Sequence, residues 1–162
     1  MEQHDIHYPP VDIEALATAE GVKINKQPVA EEVSGFLFRD AASSFALIGV
    51  NKTQHPNRQR FTVAHELGHY LLHDTSGVHV DKTFTVRHRD ARSSEGTDVE
   101  EMEANLFAAE ILMPAHFIEK DVCSVKGLDI LDEESIEQLA RAYKVSSQAM
   151  AIRLTSLGYL PI

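Results

Sequence analysis

The segment Phe61–His73 contains the pattern His-Glu-x-x-His, formed by His65, Glu66 and His69. A helix turns once in about 3.6 residues, so side chains four positions apart lie on one face. His65 and His69 therefore point the same way on a predicted helix and can bind one metal ion. Glu66 is rotated by about 100° from His65, toward a water that the ion would activate. Two neutral imidazoles beside a carboxylate are the groups that zinc-assisted hydrolysis requires.

The main alternative to a metal site is a pair of buried structural histidines, because a short pattern also arises by chance. The surrounding residues favour the metal site, since their apolar side chains predict a helix anchored in a core. The helix is predicted to begin near Asn57, a good N-cap, and to end near His73. The apolar flanking residues are Phe61, Ala64, Leu67, Leu71 and Leu72.

The composition limits the class of protein. A chain of 162 residues with 43% hydrophobic residues predicts one globular domain, or one with a small appendage. We find no apolar run of the about 20 residues that span a bilayer, and no secretory signal. The single Cys123 fits a reducing compartment, so we expect a cytoplasmic protein without membrane contact. The formal charge of −10 argues against non-specific binding to nucleic acid.

Short apolar segments precede the metal-binding helix and predict a small antiparallel sheet. A first helix over Val11–Glu20 comes before them. Residues 74–97 are predicted to be irregular, with a possible short strand at 84–86. The predicted strands are Val22–Asn25, Ser34–Arg39 and Ser44–Asn51, the last two joined by a hairpin loop at 40–43.

A second strong helix, Asp98–Met113, offers a third metal ligand. Catalytic zinc usually keeps three protein ligands, and Glu100, Glu101 and Glu103 are the candidates. Helical spacing favours Glu101, because its face is small and apolar and can pack against another helix. That face also contains Asn105, Ala108 and Leu112. Glu103 remains the alternative ligand.

Further residues are candidates for supporting roles around the metal. Glu66 is the predicted general base, which passes a proton from water to the leaving amine. Asn105 and His73 are candidates to orient the metal-binding histidines. The residues that could stabilise a developing oxyanion are Tyr70, His79, Arg87 and His88.

The last part of the chain predicts a helix pair, Glu133–Tyr143 and Ser146–Leu157, which resembles a helix-turn-helix. A DNA-reading second helix needs side chains for bases and phosphates, and this one offers only Gln148 and Arg153. We therefore consider nucleic acid an unlikely partner. A helix pair that packs on the core or docks a protein is the preferred interpretation.

Taken together, these motifs resemble the ImmA/IrrE family of metallopeptidases over nearly the whole chain. The matching segments are Ser34–Leu37, Val50–Asn51, Arg58–His73, Arg89–Asp90, Glu101–Pro114 and Ala140–Gly158. The resemblance implies an α+β fold, with a small antiparallel sheet packed on a zincin-like helical core. It also implies a zinc metallopeptidase domain over residues 1–130 and a helical tail over residues 131–162, packed on that core.

The same resemblance implies that Zn²⁺ binds His65, His69 and Glu101, and that Glu66 is catalytic. Members of the family typically cut a repressor of the XRE or helix-turn-helix type, which releases mobile-element or stress genes. The expected partner is therefore such a protein substrate, possibly encoded beside this chain. The alternative is a non-catalytic, zinc-containing regulator that binds a repressor or DNA.

Overall fold

The computed structural model describes residues 8–40, 42–73, 77–82, 95–124 and 132–161. Within them the fold is α+β, as predicted, with six helices and one four-stranded sheet. No helix in these ranges is both long enough and apolar enough to cross a bilayer. The elements are α1 (Ile13–Ala19), β1 (Val22–Gln27), β2 (Val33–Asp40), β3 (Phe45–Asn51), α2 (Pro56–Leu72), β4 (Gly77–Lys82), α3 (Glu95–Leu112), α4 (Ala115–Ser124), α5 (Glu133–Tyr143) and α6 (Ser147–Ser156).

The described chain forms two compact units. The first covers Ile13–Ala108 and contains the sheet, α1, α2 and most of α3. The second combines the segment before Ile13 with the chain from Ala109 onward. The domain boundary predicted at residue 130 lies outside the described residues and stays a prediction.

The sheet is mixed, so the prediction of an antiparallel sheet was wrong in one pairing. The strand order is β1-β3-β2-β4, and β1 runs parallel to β3 while β2 is antiparallel to both β3 and β4. Strand β3 thus inserts between β1 and β2. The buried side chain of Asn51 supports this arrangement, because its Nδ2 donates to the carbonyl of Ala30 in the β1–β2 connection and to that of Val33, the first residue of β2. The predicted hairpin between β2 and β3 is confirmed.

Strand β4 lies in a segment that we had predicted to be irregular. It pairs with β2 at the edge of the sheet, and its valines are exposed, 63% for Val78 and 43% for Val80. The alternation Val78-His79-Val80 is typical of a strand, but it is short, and its apolar side faces solvent instead of a core. The strand predicted at 84–86 lies outside the described residues.

Helices α2 and α3, which carry the candidate metal ligands, begin at other residues than predicted. The N-cap of α2 is His55 instead of Asn57, and its Nδ1 accepts from the Asn57 backbone N–H at 3.2 Å. Helix α3 begins at Glu95, three residues before the predicted start at Asp98. One internal glycine costs a helix only about 1 kcal/mol, so Gly96 does not stop it.

Helix α2 packs closely against both the sheet and α3. A Cβ built on Gly35 of β2 would lie 2.3 Å from Cγ2 of Thr62, so the sheet meets α2 at a glycine. On α3, Ala104 is fully buried, and a Cβ built on Gly68 would lie 3.1 Å from its Cα. The buried apolar residues in the core of this unit include Leu16, Leu37, Ile48, Val63 and Leu67.

The second unit has its own core and the predicted helix pair. Tyr143 is fully buried, and its hydroxyl donates to Asp121 at 2.7 Å. Burial, and after it this hydrogen bond, raises the pKa of Tyr143. Lys144 adopts the left-handed conformation between α5 and α6, where the two helices are joined. The helices are confirmed, whereas their likeness to a helix-turn-helix stays a prediction.

We expect Gly68→Ala to destabilise the protein by about 1–2 kcal/mol, because overpacking at the contact with α3 outweighs the better helix propensity of alanine. Chemical denaturation measures the difference. Met102→Ala is the control on α3, since Met102 is 63% exposed and should change the free energy of unfolding by less than about 0.5 kcal/mol. A Gly68→Ala protein as stable as the wild type would contradict the tight contact.

Candidate metal centre

Helix α2 holds the two predicted metal-binding histidines in the interior. His65 and His69 lie one helical turn apart and are 3% and 1% exposed. Their Nε2 atoms lie 3.1 Å apart, so both rings present the same nitrogen to one point. This is the arrangement that the four-residue spacing predicted.

Glu101 on α3 brings a carboxylate to the same point. Its Oε2 lies 3.4 Å from Nε2 of His65, and its Oε1 lies 3.4 Å from Nε2 of His69. Glu103 does not belong to this cluster, because its Oε2 lies 3.0 Å from Nε2 of His73. The geometry thus favours Glu101 over Glu103 as the third ligand, and the ligand assignment itself stays a prediction.

The spacing of these atoms fits a tetrahedral ion. Ligand atoms at about 2.0–2.1 Å from a tetrahedral zinc lie about 3.3–3.4 Å from one another. The two Nε2 atoms lie 3.1 Å apart, and each lies 3.4 Å from one carboxylate oxygen of Glu101, Oε2 for His65 and Oε1 for His69. Two imidazoles and one carboxylate are also a donor set that zinc accepts, so these residues fit the metal.

The electrostatics of the cluster favour the protonation states that a cation needs. Interaction with the imidazoles of His65, then His69 and His79, holds the pKa of the Glu101 carboxyl far below its usual range. Burial lowers the pKa of the His69 imidazole, although its contact with Glu101 acts in the opposite direction. A charged carboxylate beside a neutral imidazole is the form that binds a metal.

Glu66 is completely buried on α2, next to His65 in the chain. Burying an ionisable carboxylate is costly unless the site uses its charge. The position of Glu66 is therefore consistent with the predicted general base.

The structure places His79 in the cluster as a fourth group that could hold a metal. The ligand atoms of His65, His69, His79 and Glu101 all lie within 4.8 Å of one another. Nε2 of His79 lies 3.2 Å from Oε1 of Glu101, and its ring packs on that of His69 with centroids 4.1 Å apart. The sequence suggested His79 only as an oxyanion donor, because its place depends on β4, which was not predicted.

The predicted orienting residues differ in their contacts. His73 is buried, and its Nδ1 lies 3.1 Å from Nδ1 of His69. Asn105 is half-buried one turn after Glu101, and within the described ranges it forms no hydrogen bond to His65 or His69.

Of the other oxyanion candidates, Tyr70 is the one that the structure describes. Its ring lies 4.8 Å from the guanidinium of Arg39. Arg39 also donates to the backbone carbonyls of Tyr70 and His73 and so holds the end of α2, a role that the sequence did not suggest. Arg87 and His88 lie outside the described residues.

Comparison with known proteins agrees with this combination of fold and site. The model of the IrrE N-terminal-like domain, a peptidase family, matches residues 17–155. The chain therefore belongs to the ImmA/IrrE family, which confirms the resemblance seen in the sequence. Membership of a metallopeptidase family implies a divalent metal, and the His/Glu cluster could hold one.

Two individual proteins are similar to this chain. Metallopeptidase ImmA of Bacillus subtilis (strain 168) is 31% identical over 128 residues, which are 78% of this chain and 66% of that protein. A Mycobacterium tuberculosis transcriptional regulator has a similar structure, with a TM-score of 0.64 and 16% identity. That match covers 95% of this chain but 43% of the regulator, and at such identity it shows the fold alone.

We expect Glu101→Ala to weaken zinc binding by more than about 100-fold, beyond the 10–100-fold typical of residues behind the ligands. Competition with a chromophoric chelator measures the dissociation constant. The matched control is Glu100→Ala, which removes the same charge from the same helix and should bind zinc like the wild type. A larger loss in Glu103→Ala than in Glu101→Ala would contradict this ligand choice.

Proposed function

We propose that this protein is a zinc-dependent endopeptidase whose metal is held by His65, His69 and Glu101. The observation that carries the proposal is the convergence of these three side chains at separations of 3.1–3.4 Å. Family membership and the similarity to Metallopeptidase ImmA support a peptidase. The fully buried Glu66 supports catalysis further, because a purely structural metal site needs no general base.

In this proposal a bound zinc ion would supply Lewis-acid polarisation of the scissile carbonyl and make water more acidic. Glu66 takes the proton from the attacking water and delivers it to the leaving amine. The carboxylate is pre-organised for this task, since its burial on α2 excludes competing bulk water.

His79 is the residue that we assign to the developing oxyanion. Its imidazole is partly exposed, at 26%, and its Nε2 already lies at the cluster. A donor on the rim can turn from Glu101 to the carbonyl oxygen of a bound peptide as negative charge forms there.

The substrate that we propose is a transcriptional repressor of the XRE or helix-turn-helix type, possibly encoded next to this chain. Its cleavage would release mobile-element or stress genes, and the reaction would take place in the cytoplasm. These steps follow from the family resemblance, and the partial exposure of the His79 side chain is compatible with access by a protein chain.

Contacts in the second unit support a protein, in preference to nucleic acid, as the partner. Arg153 on α6 is the cation that a DNA-reading helix would use, yet it is only 9% exposed. Its Nε donates to the Met113 carbonyl at 3.0 Å, and its guanidinium pairs with Glu110. A residue engaged in this way cannot also reach a phosphate.

We expect Glu66→Gln to retain zinc but to lower the rate of repressor cleavage by about 100-fold or more, since the amide cannot accept the proton. Mass spectrometry of a neighbouring repressor, incubated with and without a chelator, measures the cleavage. Glu119→Gln is the control, because this exposed glutamate on α4 is remote in sequence from the motif. Undiminished cleavage by Glu66→Gln would rule out its role as general base.

A second candidate function is a non-catalytic, metal-containing regulator, and His79 is the observation in its favour. Four protein ligands close a zinc site and leave no position for water. If His79 binds the ion together with His65, His69 and Glu101, the protein would act by binding a repressor without cutting it.

The variant His79→Ala separates the two functions. For the peptidase, we expect cleavage to fall by about 100-fold and zinc affinity to change by less than about 10-fold. For the closed site, zinc affinity would fall by more than about 100-fold. X-ray absorption at the zinc edge counts the imidazole ligands in each protein, and His116→Ala serves as an exposed-histidine control.

A further inference from the structure

Two side-chain contacts connect Glu103, through His73, to the imidazole ring of His69 that would bind the metal. Oε2 of Glu103 lies 3.0 Å from Nε2 of His73, and Nδ1 of His73 lies 3.1 Å from Nδ1 of His69. The opposite nitrogen of His69, Nε2, is the one that faces His65 and Glu101. These contacts thus end on the ring nitrogen of His69 that lies opposite the one that a metal would bind.

We propose that Glu103 and His73 are positioning residues that fix the tautomer of His69 before a metal binds. The inference rests on the metal site proposed above and adds a role for Glu103, which is not one of the ligands in that site. In the fixed tautomer Nδ1 of His69 carries the proton, and its Nε2 presents a lone pair.

The direction of the hydrogen bonds follows from the chemistry of the groups. An ionised carboxylate only accepts, so His73 must donate from Nε2 to Glu103. A neutral imidazole that donates from one nitrogen accepts at the other, so Nδ1 of His73 accepts. His69 must then donate from Nδ1, which leaves its Nε2 unprotonated.

Burial protects the contacts between Glu103, His73 and His69 from solvent. His69 and His73 are 1% and 8% exposed, so solvent offers little competition for their ring nitrogens. Glu103 is 54% exposed in its side chain and connects the buried rings to the surface. Such carboxylate–histidine contacts behind a metal ligand raise its basicity and set its orientation.

The backbone of His73 is held as well as its ring. Its N–H donates to the His69 carbonyl at 3.1 Å, and its own carbonyl accepts from Nη1 of Arg39 at 3.1 Å. These two contacts fix the backbone at the end of α2. They therefore hold the His73 side chain in place between His69 and Glu103.

His65 provides an internal comparison. Its Nδ1 is buried and has no hydrogen-bond partner among the residues that the structure describes. Among the described residues, therefore, no series of hydrogen bonds fixes the tautomer of His65 as Glu103 and His73 do for His69. In the metal-free protein we expect the proton of His65 on Nε2, facing Glu101, and it must move to Nδ1 when zinc binds.

The first test is two-bond ¹H–¹⁵N correlation NMR of the histidine rings, with and without zinc. We expect His69 to carry its proton on Nδ1 in both states and His65 to change from Nε2 to Nδ1. A metal-free wild type with the His69 proton on Nε2 would overturn the inference.

The second test compares Glu103→Ala, Glu103→Gln and Glu100→Ala. We expect Glu103→Ala to lose the preset tautomer of His69 and to bind zinc about 10-fold more weakly. Glu103→Gln should restore much of both properties, because its amide oxygen accepts the same hydrogen bond from His73. Glu100→Ala should match the wild type in both measurements.

The outcomes separate this inference from the proposed function. If the wild type binds zinc and Glu103→Ala keeps both the tautomer and the dissociation constant, the positioning role is wrong and the peptidase proposal stands. A wild type that binds no zinc would overturn both. Glu103 is exposed, so its variants should fold, and circular dichroism checks this directly.

Discussion

The contact between α2 and α3 is the constraint on which the site depends. Gly68 lies on α2 between His65 and His69, and α3 approaches it closely enough for a Cβ there to crowd Ala104. Glu101 precedes Ala104 by one helical turn, so this approach also sets how near its carboxylate comes to the imidazoles. The packing of α2 against α3 therefore also determines the geometry of the cluster.

This contact places polar groups where a core would otherwise be apolar. Glu66, His65 and His69 are buried on α2, between the sheet on one side and α3 on the other. Burying such groups costs free energy that apolar packing alone does not return. In the proposed site a bound cation would offset that cost for His65 and His69, so metal binding and the stability of this unit would be coupled.

The sequence predicted the parts of the site that lie within one helix. The spacing of His65 and His69 was sufficient, because helical periodicity determines which side chains share a face. The same periodicity favoured Glu101 but left Glu103 open, since it does not give the rotation of α3 toward α2. That rotation depends on a contact between residues distant in the chain, at Gly68 and Ala104.

Other features escaped prediction for similar reasons. The parallel pairing of β1 with β3 depends on a crossing connection that Asn51 anchors, and no local pattern records it. Strand β4 carries its valines toward solvent and His79 toward the cluster, the reverse of the usual alternation. Its edge position explains this, because one side of an edge strand can serve a site while the other remains exposed.

The side chains of the cluster thus differ in how many contacts hold them in place. His69 is tied through His73 to Glu103 and the end of α2, whereas His79 comes from an edge strand and is partly exposed. In the proposed peptidase the rigid ligands would maintain affinity for the metal, and the more accessible His79 would exchange its contact with Glu101 for one with an incoming peptide. If a single edge-strand side chain has both options, the difference between a closed site and a catalytic one lies in the orientation of one imidazole.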